Sequence, residues 1–238
     1  MKHIKMITFD LDDTLWDNRQ TIIKAEVDTR KWIENQVGEV EWGDFNDFLL
    51  LREDLIKEDK SIAWDISKLR KEIFRIKLSH VNPIELRDEI VNKAFEIFIS
   101  KRHEVTFFDG VRKCISDLSK KYYLGVLTNG NADIYKFDIG KYFKFSISSL
   151  EAKDSKPNRS HFDMALTKVN DVGFENILHI GDHQINDIFA ANELGIDCLW
   201  FNNNNAQWEQ NFEKPDEFSS WYDLTNIISN KYERQEFN

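Results

Sequence analysis

Cysteine is scarce in this chain, with two in 238 residues, Cys114 and Cys198. At most one bridge can form, which excludes a disulfide framework, and both lie in apolar runs as buried free thiols do. Long hydrophobic runs are missing too. No stretch approaches the roughly 20 apolar residues that cross a bilayer, so no membrane partner is expected. No secretory h-region follows the N-terminus, and a cytoplasmic location is the default expectation. Basic charge is in the minority, 32 Lys and Arg against 42 Asp and Glu, for a net charge of −10. Nucleic-acid binding needs basic patches, so that class of partner is disfavoured. A small anion is not, because a metal and one lysine can set a local field. The six histidines are scattered without zinc-ligand spacing. There are no internal repeats, and Asn202–Asn205 is a polar loop. A hydrophobic content of 41% with 31% charged residues suits a globular chain. Its length suits one large domain or two smaller ones, and no oligomeric state follows from it.

What is present concentrates in a few segments. Ile4 to Phe9 is an apolar run broken only by Lys5 and Thr8, and reads as a buried strand. It runs into Phe9-Asp10-Leu11-Asp12-Asp13-Thr14-Leu15-Trp16-Asp17-Asn18. Carboxylates at the C-terminal tip of a strand lie where open α/β sheets bind ligands. Asp10 and Asp12, two apart across a tight turn, can divide the work of nucleophile and general acid/base. An acidic surface loop is the alternative. Leu124-Gly125-Val126-Leu127-Thr128-Asn129-Gly130 is a second buried strand. Its hydroxyl and backbone amides suit phosphate oxygens, although Thr-Asn-Gly is also an ordinary turn sequence. Lys156-Pro157 precedes a helix-like run, where a lone lysine is most often a solvated charge. Ile177-Leu178-His179-Ile180-Gly181-Asp182 is another strand, with Asp187 five residues on. Asp182 is placed as a hard-cation ligand and Asp187 as its partner.

Taken together, Asp10-Leu11-Asp12-Asp13-Thr14, Thr128-Asn129, Lys156-Pro157 and Gly181-Asp182 through Asp187 resemble the haloacid dehalogenase superfamily of aspartate-dependent phosphohydrolases. The closer resemblance, resting on Phe9–Asn18, on Leu127-Thr128-Asn129-Gly130-Asn131-Ala132 and on Ile177–Asp182, is to its flavin mononucleotide phosphatase-like branch. The resemblance implies a Rossmann-like α/β core with a parallel sheet and an inserted all-helical cap. It implies Asp10 as nucleophile, Asp12 as acid and base, and Lys156 as charge partner. Thr128 and Asn129 would hold phosphate. Mg²⁺ would be held by Asp10, Asp182 and the backbone carbonyl of Asp12, with Asp187 beside it. Members that carry out dehalogenation lack an acid/base at the position of Asp12. The alternatives are a phosphomutase and a non-catalytic binding protein of the same fold. Charge supports the metal. Asp10, Asp182 and Asp187 carry three negative charges when ionised, and a phosphate dianion adds about two. One carboxyl would take a proton unless cations intervened. All-oxygen ligands beside a phosphate favour Mg²⁺ over zinc. Asn158-Arg159 stands where related chains commonly carry small residues or a proline, so the loop holding Lys156 is expected to differ.

The stretch 18–104 has helical rather than strand periodicity. Ile22, Ile23, Val27, Ile33 and Val37 fit one helix, stopped by Gly38. Phe45, Phe48, Leu49, Leu55 and Ile56 fit a second, with Asp44 as N-cap. Ile62, Ile66, Leu69, Ile73 and Ile76 fit a third. Asn82-Pro83-Ile84-Glu85 opens a fourth with Asn82 as cap and proline at N1, its apolar face running from Ile84 to Ile99. By the family's pattern this insert is a mobile cap closing over a core formed by 1–17 and 105–238; a rigid helical subdomain is the alternative. Beyond it strands and helices alternate, predicting a largely parallel sheet. Asp109 is the expected cap of a helix to about Lys121. Helices are expected over 162–169, over 187–194 closed by Gly195, and over 221–228. Short strands are expected over 145–149 and 198–201.

The substrate implied is a small phosphomonoester, flavin mononucleotide or a ribityl phosphate precursor among them. Trp16, Trp32, Trp42 and Trp64 make the N-terminal half aromatic-rich. Their rings either stack a flavin or base or, at helical spacing, pack a helical core. By position in related sequences, Asn18 and Arg70 are the expected polar contacts from the insert. His183 follows Asp182 directly and reads as a loop histidine.

Overall fold

The structure, a computed structural model, describes residues 3–232. It divides into two compact units, Met1–Asp17 with Thr106–Asn238, and Asn18–Val105. No helix among the described residues is long and apolar enough to cross a membrane.

The inserted unit is all helical, with α1 (Asn18–Val37), α2 (Phe45–Glu58), α3 (Ile66–Lys77) and α4 (Ile84–Arg102). Helix α1 stops at Gly38, whose φ of +86° costs a glycine nothing. Asp44 caps α2 by accepting from the Asn46 and Asp47 N–H groups, and Asp47 bonds back to the Asp44 N–H. Ile62 does not belong to α3. It lies in a separate 3₁₀ turn, Lys60–Ala63, because Asp59 and Asp65 each bond local backbone N–H groups and start a new element. The opening of α4 also differs from expectation. Pro83 is the N-cap with no side-chain bond, and the Asn82 carboxamide donates to the His80 carbonyl instead. Ile84 is exposed, and the buried face of α4 starts at Ile90. Ile33, Phe74, Leu78, Ile90, Val91 and Ala94 form the core, with Trp32 and Trp42 packed on it.

The other unit carries a six-stranded parallel sheet in the order β3-β2-β1-β4-β5-β6. The strands are β1 (Met6–Phe9), β2 (Tyr123–Thr128), β3 (Phe143–Ser148), β4 (Ile177–Gly181), β5 (Asp197–Phe201) and β6 (Glu217–Phe218). Every residue of β1 and β4 is buried, as continuous apolar runs in a sheet covered on both faces must be. The helices are α5 (Val111–Leu118), α6 (Ser149–Ala152), α7 (Ser160–Leu166), α8 (Ala190–Asn192) and α9 (Trp221–Tyr232). Gly110, at φ +89°, is the N-cap of α5 in place of Asp109. Residues 187–194 do not form one helix. A π-type turn over Gln184–Phe189 leads into the short α8, and Gly195 ends it at φ +70°. Cys114 and Cys198 are buried free thiols.

Strand order positions the site. Phe9 lies opposite Val126 of β2 on one side and Ile180 of β4 on the other. Asp10, Thr128 and Asp182 therefore emerge together at the carboxyl edge, on either side of β1, where the chain's strand order reverses and a crevice opens.

Candidate active site

Beyond β1 the chain turns tightly, with Asp13 in the left-handed region at φ +60°, a conformation aspartate tolerates better than most residues. The turn places Asp10, Asp12 and Asp13 in one open cleft of about 180 Å³ with Thr128, Asn129, Gly130, Lys156, Asp182, His183, Asn186 and Asp187. Gly181 makes this packing possible, since a Cβ there would meet the Asp187 carboxyl carbon at 2.3 Å.

Lys156 is buried beneath the cleft. Its ammonium donates to Asp10 Oδ1 at 2.8 Å, Asp187 Oδ1 at 2.5 Å and the Leu127 carbonyl at 2.7 Å, which uses all three of its protons. Its loop is held by Asn129. The carboxamide of that residue accepts from the Lys156 N–H at 2.8 Å and from the Ser149 hydroxyl, and donates to the Lys156 carbonyl at 2.9 Å. The Asn129 side chain is thus committed to Ser149 and the lysine loop. Asn158 and Arg159 do not disturb this. Asn158 bonds Asp154, and Arg159 pairs with Asp163 on the outer face of the loop.

Two residues without an expected role complete the acidic group. The Thr14 hydroxyl donates to Asp182 Oδ1 at 3.1 Å. His179, inside β4, places Nε2 3.2 Å from Asp187 Oδ1 and Nδ1 2.9 Å from the Thr8 hydroxyl, its register partner on β1. An ionised carboxylate only accepts, so Nε2 carries the ring proton and Thr8 donates to Nδ1. Burial keeps His179 below its ordinary value and neutral, against the pull of Asp187. The His183 N–H donates to Asp187 Oδ2 at 3.0 Å, and its ring accepts from the Ile185 and Asn186 N–H groups as the cap of the turn.

Carboxylates outnumber cations here. Burial, then repulsion from Asp187 and Asp13, pushes the Asp182 carboxyl up to about 7. Burial holds Asp10 well above the carboxylate range although Lys156 opposes it, with Asp187, Asp182 and Asp12 adding repulsion. Burial works upward on Asp187 too, but Lys156 and His179 outweigh it and keep that carboxylate ionised. Burial would discharge Lys156, and Asp10 with Asp187 overrules it. Asp10, Asp182 and Asp187 offer oxygens all within 4.8 Å of one another. An all-oxygen group with surplus negative charge fits a hard divalent cation.

These features agree with comparisons to known proteins. Residues 7–201 match the model of the haloacid dehalogenase-like hydrolases. The chain belongs to that family. It is similar, at 28% identity over 94% of this chain and 96% of the other, to the 5-amino-6-(5-phospho-D-ribitylamino)uracil phosphatase of Escherichia coli K12. The glyceraldehyde 3-phosphate phosphatase of Pyrococcus furiosus is 29% identical over 84% of this chain and 82% of that protein. A solved 2-haloacid dehalogenase from Pseudomonas syringae pv. Tomato DC3000 superposes with a TM-score of 0.86 at 30% identity, covering 95% and 99% of the two chains. Within the haloacid dehalogenase-like hydrolases this chain is an enzyme of the phosphatase kind.

Of the two expected contacts from the insert, Asn18 opens α1 and is partly buried. Arg70, in α3, pairs with Glu26 and lies 3.5 Å over the Phe98 ring, so it is engaged within the helical unit. Thr14 belongs to the Asp10–Thr14 motif without a role of its own there, and His179 carries a role only through strand pairing. Its signal in the chain is a lone polar residue in each of two otherwise apolar strands, Thr8 and His179, which parallel pairing makes neighbours.

The acidic group has a consequence for stability. Asp182 titrates near 7 in the folded protein against 3.8 ordinarily. Folded protein therefore holds a proton that the unfolded chain has released, and this stabilisation is lost as pH rises from about 4 through about 7. Cation-free protein should melt several degrees lower at pH 8 than at pH 5, at about 2–4 °C per kcal/mol. Mg²⁺ should restore more of the melting temperature at pH 8 than at pH 5, because it competes with that proton. Asp182→Asn should flatten the cation-free slope; an unchanged slope in that variant would rule out this origin.

Proposed function

We propose that this hydrolase is a Mg²⁺-dependent phosphatase acting on a small phosphomonoester, such as flavin mononucleotide or a ribityl, sugar or nucleotide phosphate. The observation that carries the reading is Asp12, which lines the same cleft as Asp10. A halide leaves as a stable anion and needs no proton, whereas an alkoxide does. A second carboxyl beside the nucleophile therefore suits phosphate esters better than the dehalogenation named for the Pseudomonas relative.

With Asp10 Oδ1 bonded to Lys156, Oδ2 is the oxygen left to attack phosphorus. As that bond forms and the ester P–O bond breaks, Asp12 gives its proton to the leaving alkoxide. It then takes a proton from the water that attacks the aspartyl-phosphate, and Asp10 is regenerated. The Thr128 hydroxyl and the Asn129 main chain hold phosphoryl oxygens, while Lys156 offsets their charge. Asp10, Asp182 and the Asp12 carbonyl would hold Mg²⁺, with Asp187 oriented beside them by Lys156, His179 and His183. When bound, the ion supplies positive charge to the transferring group. The helical unit is assigned the role of cap.

The test is inorganic phosphate release from a panel of phosphomonoesters including flavin mononucleotide and sugar phosphates, with Mg²⁺ and with EDTA. Metal-dependent release, with one ester well ahead of the others, is expected. Folded protein that releases nothing from any ester, or does so equally in EDTA, would defeat the reading.

A further inference from the structure

Asp12 is not left to find its own orientation. Four residues on, the Trp16 indole N–H donates to Asp12 Oδ1 at 3.0 Å. Trp16 is fully buried and does not line the cleft. Its ring is wedged between Phe107, edge-on at 5.4 Å, and Phe137 at 5.3 Å, which themselves meet edge-on at 5.4 Å. The backbone is tied as well, because Trp16 bridges to both Asp12 and Phe107 and the Phe108 N–H donates to the Leu15 carbonyl at 3.0 Å. A buried indole N–H is costly to leave unbonded, and in this packing it is aimed at one oxygen of one carboxyl.

We infer that Trp16 is a positioning residue for the acid/base step, presenting Asp12 with Oδ2 toward the leaving group. The inference rests on the phosphatase reading above. An indole nitrogen only donates. When Asp12 is protonated, its carbonyl oxygen is the better acceptor and takes the indole bond as Oδ1. The O–H then falls on Oδ2, on the side away from Trp16. That proton passes to the alkoxide oxygen as the P–O bond breaks, and the resulting carboxylate recovers one from the attacking water at the same oxygen. Held in this way, the acid need not search rotamers at each turnover.

The inference is tested by first-turnover kinetics with two esters. Flavin mononucleotide leaves as an alkoxide and needs the proton; p-nitrophenyl phosphate leaves as a stabilised phenolate and does not. Trp16→Phe, which keeps a ring in the aromatic cluster and removes the N–H, should slow first-turnover riboflavin release by about 10- to 100-fold, within the range of general-acid effects. Its release of p-nitrophenolate should change less than about threefold, and KM for either ester should hold. Asp12→Asn should show the same selectivity, more strongly. Phe107→Leu loosens the cluster but spares the N–H, and should show no selectivity. Equal slowing of both esters by Trp16→Phe, or the selective loss in Phe107→Leu, would overturn the inference in favour of packing. If another alkoxide ester of the panel above is hydrolysed faster than flavin mononucleotide, it takes that ester's place here; wild-type protein inert on every ester of the panel and on p-nitrophenyl phosphate would overturn the phosphatase reading and this inference with it. Should Trp16→Phe fail to fold, ¹⁵N-labelled wild type serves. Its Trp16 indole proton should move upfield in Asp12→Ala, and an unmoved resonance would overturn the bond itself.

Discussion

Asp10→Asn should abolish turnover, by about 10⁴-fold or more, as loss of a nucleophile does elsewhere, while leaving the protein folded. The amide keeps the shape of the carboxyl, and its oxygen can still accept from the Lys156 ammonium that Asp10 Oδ1 now meets at 2.8 Å. What disappears is the anionic oxygen that attacks phosphorus. The same change removes one of three crowded carboxyls. Burial already holds the Asp10 carboxyl well above its ordinary range, so a neutral group there costs little, and the cation-free melting temperature should stay level or rise. Phosphate release and a thermal melt on the same preparation check both halves. Activity within tenfold of the parent would eliminate Asp10 as nucleophile.

The second large effect is on stability and activity together. Lys156→Met keeps chain length and volume but removes the cation bonded to Asp10, Asp187 and the Leu127 carbonyl. Breaking a buried ion pair from one side costs about 3–5 kcal/mol, because the partners stay behind uncompensated. For a domain of this size that is a fall in melting temperature of about 6–20 °C. Lowering the pH from 7 to 5 should recover part of it, since the stranded carboxyls can then take up protons. Phosphate release should drop by about 10²- to 10³-fold, the scale seen when one fixed charge-stabilising donor is lost. A melt within 2 °C of the parent, about 1 kcal/mol or less, would mean the lysine is not the counter-charge of this cluster.

The site was legible in the chain wherever one short segment carries both the strand and its functional tip. Asp10 and Asp12 after Ile4–Phe9, Thr128 after its strand, and Asp182 after Ile177–Gly181 follow that rule. A parallel sheet brings the carboxyl ends of adjacent strands to one edge, so four distant segments could be read as one cleft. The α1 stop at Gly38 and the Asp44 cap of α2 were legible for a similar local reason. Where local signals compete, residue order alone does not set the ends of an element. Asp59 and Asp65 both bond nearby N–H groups and split off Ile62, and Gly110 took the cap position from Asp109. Two-residue β6 is too short to carry a periodicity.

Family membership, the parallel α/β core with its helical insert, and the gathering of the carboxylates and the lysine at one cleft follow from residue type and order along the chain. Their pairing follows from the packing of distant segments. The neutral His179 between Thr8 and Asp187 depends on strand register. The commitment of the Asn129 carboxamide to the Lys156 loop joins residues 27 apart. The upward push on Asp182, set against the ionised Asp187, depends on which carboxyl the buried lysine reaches. Burial and neighbouring charge set these states, and neither is written in any one segment.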